Sequence, residues 1–204
     1  MKSIVLTSKL SASRIALASV ISLLLAGCGT KASNDTFSLT STPIIASKTG
    51  VAKGRQILVP EPTALKALDS EQVVVRLSNS EIQYLSNSQW SDKLPRLVQA
   101  KLVQAFENTG KLGGVGKPGE GLAIDYQVQT SIRSFEVTTG ANSSGTVEIF
   151  AKLVNDRNGS VHAQQVFRAT VPVAAAGNAN YVQALDQAFA QVTSDIVAWT
   201  LRSI

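Results

Sequence analysis

The stretch Leu122-Ala-Ile-Asp-Tyr-Gln-Val-Gln-Thr-Ser-Ile-Arg133 alternates apolar and polar residues. Successive side chains of a strand point to opposite faces. Leu122, Ile124, Tyr126, Val128 and Ile132 therefore fall on one face, with Asp125, Gln127, Gln129 and Arg133 on the other. The pattern predicts a strand in a sheet that is dry on one side and wet on the other. Toward the C-terminus, residues 146–154 predict a second long strand, ended by the turn sequence Asn155-Asp-Arg-Asn-Gly159, and residues 161–171 predict a third. Three consecutive strands joined by turns make an antiparallel meander.

A dry face needs a cover, and two amphipathic segments supply it. Val182, Leu185, Phe189, Val192, Ile196 and Trp199 recur at three- and four-residue intervals near the C-terminus. Upstream, from about Ser91, Leu94, Leu97, Val98, Lys101, Leu102, Ala105 and Phe106 form a second helical stripe, with Ser91 or Asp92 as its expected cap and Gly110 as its stop. The Gly-rich residues 110–121 are expected to be a loop. Before them, residues 36–40, 55–59 and 72–77 predict short strands, the second closed by Pro60 and Pro62, and residues 81–85 predict a weaker one. The resulting class is α+β, a largely antiparallel sheet with both helices packed on one face.

The N-terminus carries an export signal. Lys2, Lys9 and Arg14 precede an apolar run of about twelve residues from Ile15 to Ala26, shorter than the roughly twenty a membrane-spanning helix needs. The run ends in Leu25-Ala26-Gly27-Cys28, similar to the bacterial lipobox, in which the thiol is acylated and becomes the first residue of the mature chain. Cys28 is the sole cysteine, so an intramolecular disulfide is excluded and lipidation accounts for it. Gly29 after it suggests, by resemblance to the bacterial sorting rule, an outer-membrane, periplasm-facing destination, with the inner membrane as the alternative. The expected domains are residues 1–27 as signal peptide, 28–36 as lipidated N-terminus and tether, and 37–204 as one folded domain.

Composition removes several function classes. The chain has 19 Lys+Arg; three lie in residues 1–27, leaving 16 against 14 Asp+Glu, so the mature protein is nearly neutral and lacks the basic footprint of a nucleic-acid binder. The only histidine, His162, has no cysteine or histidine near it, which argues against a zinc site. No Gly-x-Ser-x-Gly elbow accompanies it. Gly114-Val-Gly-Lys117 resembles a phosphate-binding loop only superficially, because Lys111 and Pro118 stand where that loop needs a glycine and a hydroxyl. Neither catalytic residues nor a cofactor is expected.

Residues 72–99, Gln-Val-Val-Val-Arg-Leu-Ser-Asn-Ser-Glu-Ile-Gln-Tyr-Leu-Ser-Asn-Ser-Gln-Trp-Ser-Asp-Lys-Leu-Pro-Arg-Leu-Val-Gln, resemble the central signature of the PqiC-like, ABC-type transport auxiliary lipoprotein family. There a strand ending in arginine leads to an asparagine-bearing turn, then to a tryptophan just before the first long helix. The matching positions are Arg76, Asn79 and Trp90. The resemblance implies a non-catalytic accessory or docking subunit of a lipid transport system, with an MCE-domain protein and its permease and ATPase as partners. Trp90 is a candidate partner contact, since tryptophan is enriched at interface hot spots; its other place is packed over the helix start. A homo-oligomer fits a docking collar, although no heptads specify one. The alternative is a periplasmic shuttle that holds acyl chains in its own cavity.

Overall fold

The computed structural model describes residues 34–40 and 54–204; the expected signal peptide, residues 1–27, and Cys28 lie outside them. The strands are β1 (Asp35–Phe37), β2 (Gln56–Leu58), β3 (Thr63–Ala64), β4 (Gln72–Arg76), β5 (Ile82–Trp90), β6 (Gly114–Gly116), β7 (Tyr126–Thr138), β8 (Ser144–Asn155) and β9 (Val161–Pro172). Two helices, α1 (Leu94–Asn108) and α2 (Asn178–Ser203), complete the fold. It is α+β, as the alternation and the two stripes predict.

The meander forms the body of the sheet. β7 pairs antiparallel with β8 from Tyr126↔Asn155 to Thr138↔Ser144, and β8 pairs antiparallel with β9 from Ser144↔Pro172 to Val154↔Val161. The apolar face does not keep one parity along β7. Val128 and Ile132 are buried at even positions, then Phe135 and Val137 at odd ones, because a bulge between Ile132 and Ser134 inserts one residue and turns the following side chains over. The facing positions of β8 are Val147, Ile149, Ala151 and Leu153, all fully buried.

The other edge of β7 is built differently from the antiparallel expectation. β2, β3 and β4 all pair with it in parallel, at Ile57↔Tyr126, Thr63↔Ser131 and Val74↔Glu136. The sheet is therefore mixed, with its long pairings antiparallel and its short ones parallel. Pro60 and Pro62 separate β2 from β3, as residues that cannot donate to a ladder must. The Gly-rich segment expected to be a loop contains β6, which runs parallel to β2 at Gln56↔Gly114 and Leu58↔Gly116. Its glycines sit close to their neighbours: a Cβ on Gly114 stands 3.3 Å from Gln56 Oε1 of β2, and one on Gly116 meets Leu122 Cδ1 of the segment that follows at 2.5 Å.

Several boundaries move for local reasons. β7 begins at Tyr126 because Asp125 is tied to Gln56: its N–H donates to the Gln56 carbonyl at 2.9 Å, and its carboxylate accepts the Gln56 N–H at 3.0 Å. β1 begins at Asp35, paired with Ser88, so Asp35 and Thr36 belong to the sheet rather than to a tether ending at residue 36. Helix α1 starts at Leu94 with Lys93 as its cap residue and no side-chain cap, in place of Ser91 or Asp92. The Asp92 carboxylate accepts the Lys93 N–H at 2.7 Å, the Ser70 carbonyl accepts that of Leu94 at 3.0 Å, and Pro95 has no N–H to satisfy. Gly110, with φ +60°, follows the end of α1 and supplies the left-handed residue that a helix stop favours.

Helix α2 lies across β8, β9 and β7, and α1 packs on α2 and β6. Leu102 and Phe106 of α1 meet Val182, Leu185, Phe189, Val192 and Ile196 of α2 and the inner face of the meander in one hydrophobic core. The approach of α2 to β8 is close enough to require glycine: a Cβ on Gly145 sits 2.7 Å from the Leu185 nitrogen and 2.8 Å from the Ala184 carbonyl carbon. The N-terminal segment is tied to this helix too. Leu39 enters the core, and the next residue, Thr40, donates its N–H and hydroxyl to the two oxygens of Asp186 at 2.8 and 2.6 Å.

Candidate docking surface

The signature residues converge on the β4–β5 hairpin. Arg76, the last residue of β4, extends a fork to Glu136 of β7, with Nε to Oε1 at 2.8 Å and Nη2 to Oε2 at 2.7 Å. Its Nη1 donates to the Asn79 carbonyl at 3.3 Å, so one guanidinium joins the turn to the centre of the sheet. The hydrogen bond to Glu136 holds the Arg76 pKa above its ordinary value; burial works against it, and the attraction of the carboxylate adds to it. The planar fork matches a carboxylate in two places at once, which lysine cannot do. The N–H groups of Leu77 and Ser78 both donate to the Glu81 carbonyl and close the hairpin.

Beyond the turn, β5 is bent. Between Val74↔Tyr84 and Gln72↔Gln89, β4 advances two residues while β5 advances five, and Asn87 within the excess has φ +56°. Asn178, the first residue of α2, stitches the bend down by donating its amide to the Ser86 carbonyl at 2.9 Å and to Ser88 Oγ at 2.8 Å. On its outer side β5 pairs with β1 only at Ser88, Gln89 and Trp90. Residues 82–87 have no strand partner on that side among the described residues. Leu77, Ile82 and Tyr84 beside this edge are 44%, 36% and 43% exposed. A rigid hairpin thus presents a short unpaired strand edge with apolar side chains, the arrangement by which a sheet accepts an added strand or an apolar segment.

Trp90 occupies the other of its two expected places. It is 1% exposed and stands edge-on to Phe135, with ring centroids 5.7 Å apart and planes at 89°; Phe135 in turn touches Phe189 at 5.8 Å. Its N–H donates to the Glu71 carbonyl, and the next N–H, of Ser91, donates to the Phe37 carbonyl. Trp90 therefore ties β5 to β7 just before α1, with α2 reached through Phe135, and offers no surface to a partner. The exposed residues at the hairpin, Leu77, Ile82 and Tyr84, were the ones sequence reasoning passed over. Their signal was present, since three apolar side chains flank the polar turn Ser78-Asn-Ser80 within eight residues.

His162 lies at the start of β9, its Nε2 2.7 Å from the Ser203 carbonyl oxygen and its ring 5.5 Å from that of Tyr126. Among the described residues no three His, Cys, Asp or Glu side chains gather as metal ligands. The layer between helices and sheet, where an acyl-binding cavity was the alternative, is filled by Leu102, Phe106, Phe135, Ile149, Leu185 and Phe189, none more than 1% exposed. An open depression of about 630 Å³ lies instead at one end of the sheet, lined by Asn142, Ser143, Pro172, Ala176 and Tyr181 among others. Among the described residues no helix is long and apolar enough to cross a membrane.

Comparison with known proteins agrees with the signature. Residues 37–197 match the family described as the ABC-type transport auxiliary lipoprotein component, and the chain belongs to that family. Its fold is similar to the crystal structure of protein XCC0632 from Xanthomonas campestris, a DUF330 protein, at 26% identity and a TM-score of 0.77 over 83% of this chain and 95% of that one. The hypothetical protein CT253 from Chlamydia trachomatis shares the fold at 11% identity, with a TM-score of 0.54 over 74% of this chain and 98% of that one. The uncharacterized protein bll6063 from Bradyrhizobium diazoefficiens is 26% identical over 178 residues, 87% of this chain. The present chain spans about half the length of that relative, 48%. The description of that family is of a lipoprotein auxiliary to ABC-type transport.

Proposed function

We propose that the protein is a non-catalytic docking subunit of an ABC/MCE-type phospholipid transport system. Residues 1–27 direct export, acylated Cys28 anchors the chain at the periplasmic side of the outer membrane, and one domain beginning at β1 engages the MCE-domain protein or its permease and ATPase. A diacylglyceryl and an N-acyl group together anchor firmly where a single chain does not. Family membership supports the accessory role. The observation that carries docking is the unpaired edge of β5, with Leu77, Ile82 and Tyr84 exposed on a hairpin held by Arg76, Glu136 and Asn178.

An affinity pull-down of the full-length chain from gently solubilised envelopes tests this, with Cys28→Ala and the pair Ile82→Asp and Tyr84→Asp in parallel. The expected result is recovery of an MCE protein with its permease or ATPase, weakened by Cys28→Ala and lost in the hairpin variant. Undiminished recovery with the hairpin variant removes the proposed site. A pull-down lacking all three transporter components, even after crosslinking, removes the function.

A further inference from the structure

The face of the sheet turned away from the helices carries a second surface, three strands from the β5 edge. On β8 the side chains of Glu148, Phe150 and Lys152 alternate with the buried Val147, Ile149 and Ala151, so they share the outer face. Their partners across β9 are Arg168, Val166 and Gln164. Arg133, the extra residue of the β7 bulge, lays its guanidinium over the Phe150 ring at 4.5 Å, and Lys152 Nζ stands 5.7 Å from the same ring. Glu148 is shared between Arg168 at 3.1 Å and Arg133 at 3.9 Å. Among the described residues Lys152 has no carboxylate within ion-pair distance.

Three cations against one carboxylate leave this patch with a net charge of about +2, on a mature chain that is close to neutral. At its centre lie an aromatic ring and Val166, which is 42% exposed. Basic side chains around an accessible apolar centre suit a bilayer interface, where the stems and rings enter the headgroup layer while the charges meet phosphate. The chain length allows the contact. Cys28 precedes Asp35 by seven residues, a reach of up to ~25 Å. β1 stands four strand spacings from β8 through β5, β4 and β7, about 19 Å.

We propose that the helix-free face of β7, β8 and β9, through Arg133, Lys152, Arg168, Phe150 and Val166, rests on the anionic phospholipid headgroups of the membrane that holds the chain. This rests on the anchoring proposed above and gives the tethered domain a defined orientation, with the helices directed away from the bilayer.

The test places a photo-crosslinking residue, p-benzoylphenylalanine, at Val166 of the full-length chain, with the same probe at the exposed Gln191 of α2 as control. The protein is reconstituted into phosphatidylethanolamine–phosphatidylglycerol vesicles or into phosphatidylcholine vesicles. The expected result is a phospholipid adduct at position 166 on the anionic vesicles, weak on phosphatidylcholine, weakened by salt and absent at position 191. Lys152→Gln and Arg168→Gln are each expected to reduce the membrane-facing population about fivefold. The salt titration of the unsubstituted face keeps the result independent of whether those variants fold. An adduct equal on both vesicles and insensitive to salt, an equal adduct at 191, a protein adduct in its place, or none at all overturns the proposal. Acylation of Cys28 is read separately from the mass of the purified chain, so an unacylated chain that still forms the lipid adduct removes the anchor and leaves the face.

Discussion

Replacing Trp90 by alanine separates a packing role from a binding role at the residue where the two expectations diverge. At 1% exposure its indole has the surroundings of a core side chain, with Phe135 at 5.7 Å. A buried tryptophan removes roughly 150–250 Å² from water. At about 25 cal/mol per Å² this is about 4–6 kcal/mol, an upper estimate because the unfolded chain is already partly collapsed. Truncations of this kind cost about 3–5 kcal/mol once the cavity left behind is included. For a domain of this size each kcal/mol lowers Tm by about 2–4 °C, so Trp90→Ala is expected to melt roughly 6–20 °C below the parent. Trp90→Phe keeps an aromatic edge against Phe135 and is expected to cost about 1 kcal/mol. The assay is urea unfolding of the full-length chain followed by far-UV circular dichroism, with transporter capture measured on the same preparations well below Tm. A Trp90→Ala protein within about 1 kcal/mol of the parent that has nevertheless lost its partners would refute the core assignment.

Three further outcomes follow from individual contacts. Gly145→Ala drives a methyl group into the backbone of α2 at Ala184 and Leu185, and is expected to cost about 1–3 kcal/mol in urea unfolding; an unchanged midpoint contradicts the close approach. Glu136→Ala removes the Arg76 fork, in which Arg76 is a third exposed, and is expected to cost about 1 kcal/mol and to weaken partner capture along with hairpin order, measured by amide exchange at residues 77–81; unchanged exchange there argues against the fork as the hairpin's support. The Asp125 carboxyl is held below the usual carboxylate range, first by the Gln56 N–H and then by Arg55 and Arg157, with burial opposing. A depressed folded pKa contributes stability above the unfolded value of about 4, and that contribution is lost as pH falls through the folded value. Asp125→Asn is therefore expected to be less stable than the parent at neutral pH, with the difference closing below about pH 4; a gap that stays constant through acid assigns the loss to shape rather than charge.

The family signature was legible because it is a property of adjacent residues, and the near balance of charge after residue 27 because it needs only a count. So were the meander and the two helical stripes: local periodicity and turn chemistry set Asn155-Asp-Arg-Asn-Gly159 as a turn and Val182 to Trp199 as a helix face. The β7 bulge was also written in the chain, since the apolar parity passes from Val128 and Ile132 to Phe135 and Val137, although reading the strand only to Arg133 stops short of the change.

What the chain alone left open depends on contacts between residues distant in sequence. Whether a short apolar run becomes a parallel neighbour of β7, as β2, β3 and β4 do, is decided by which edge is free when the core closes, and no local pattern encodes that. The glycines at 114 and 116 read as a loop until β2 offered them a ladder. Trp90 shows the same division. Its residue type suits an interface or a core, and the arrival of Phe135 from β7 made it a core residue. The same packing left Leu77, Ile82 and Tyr84 exposed, which is why that surface is a product of the tertiary structure.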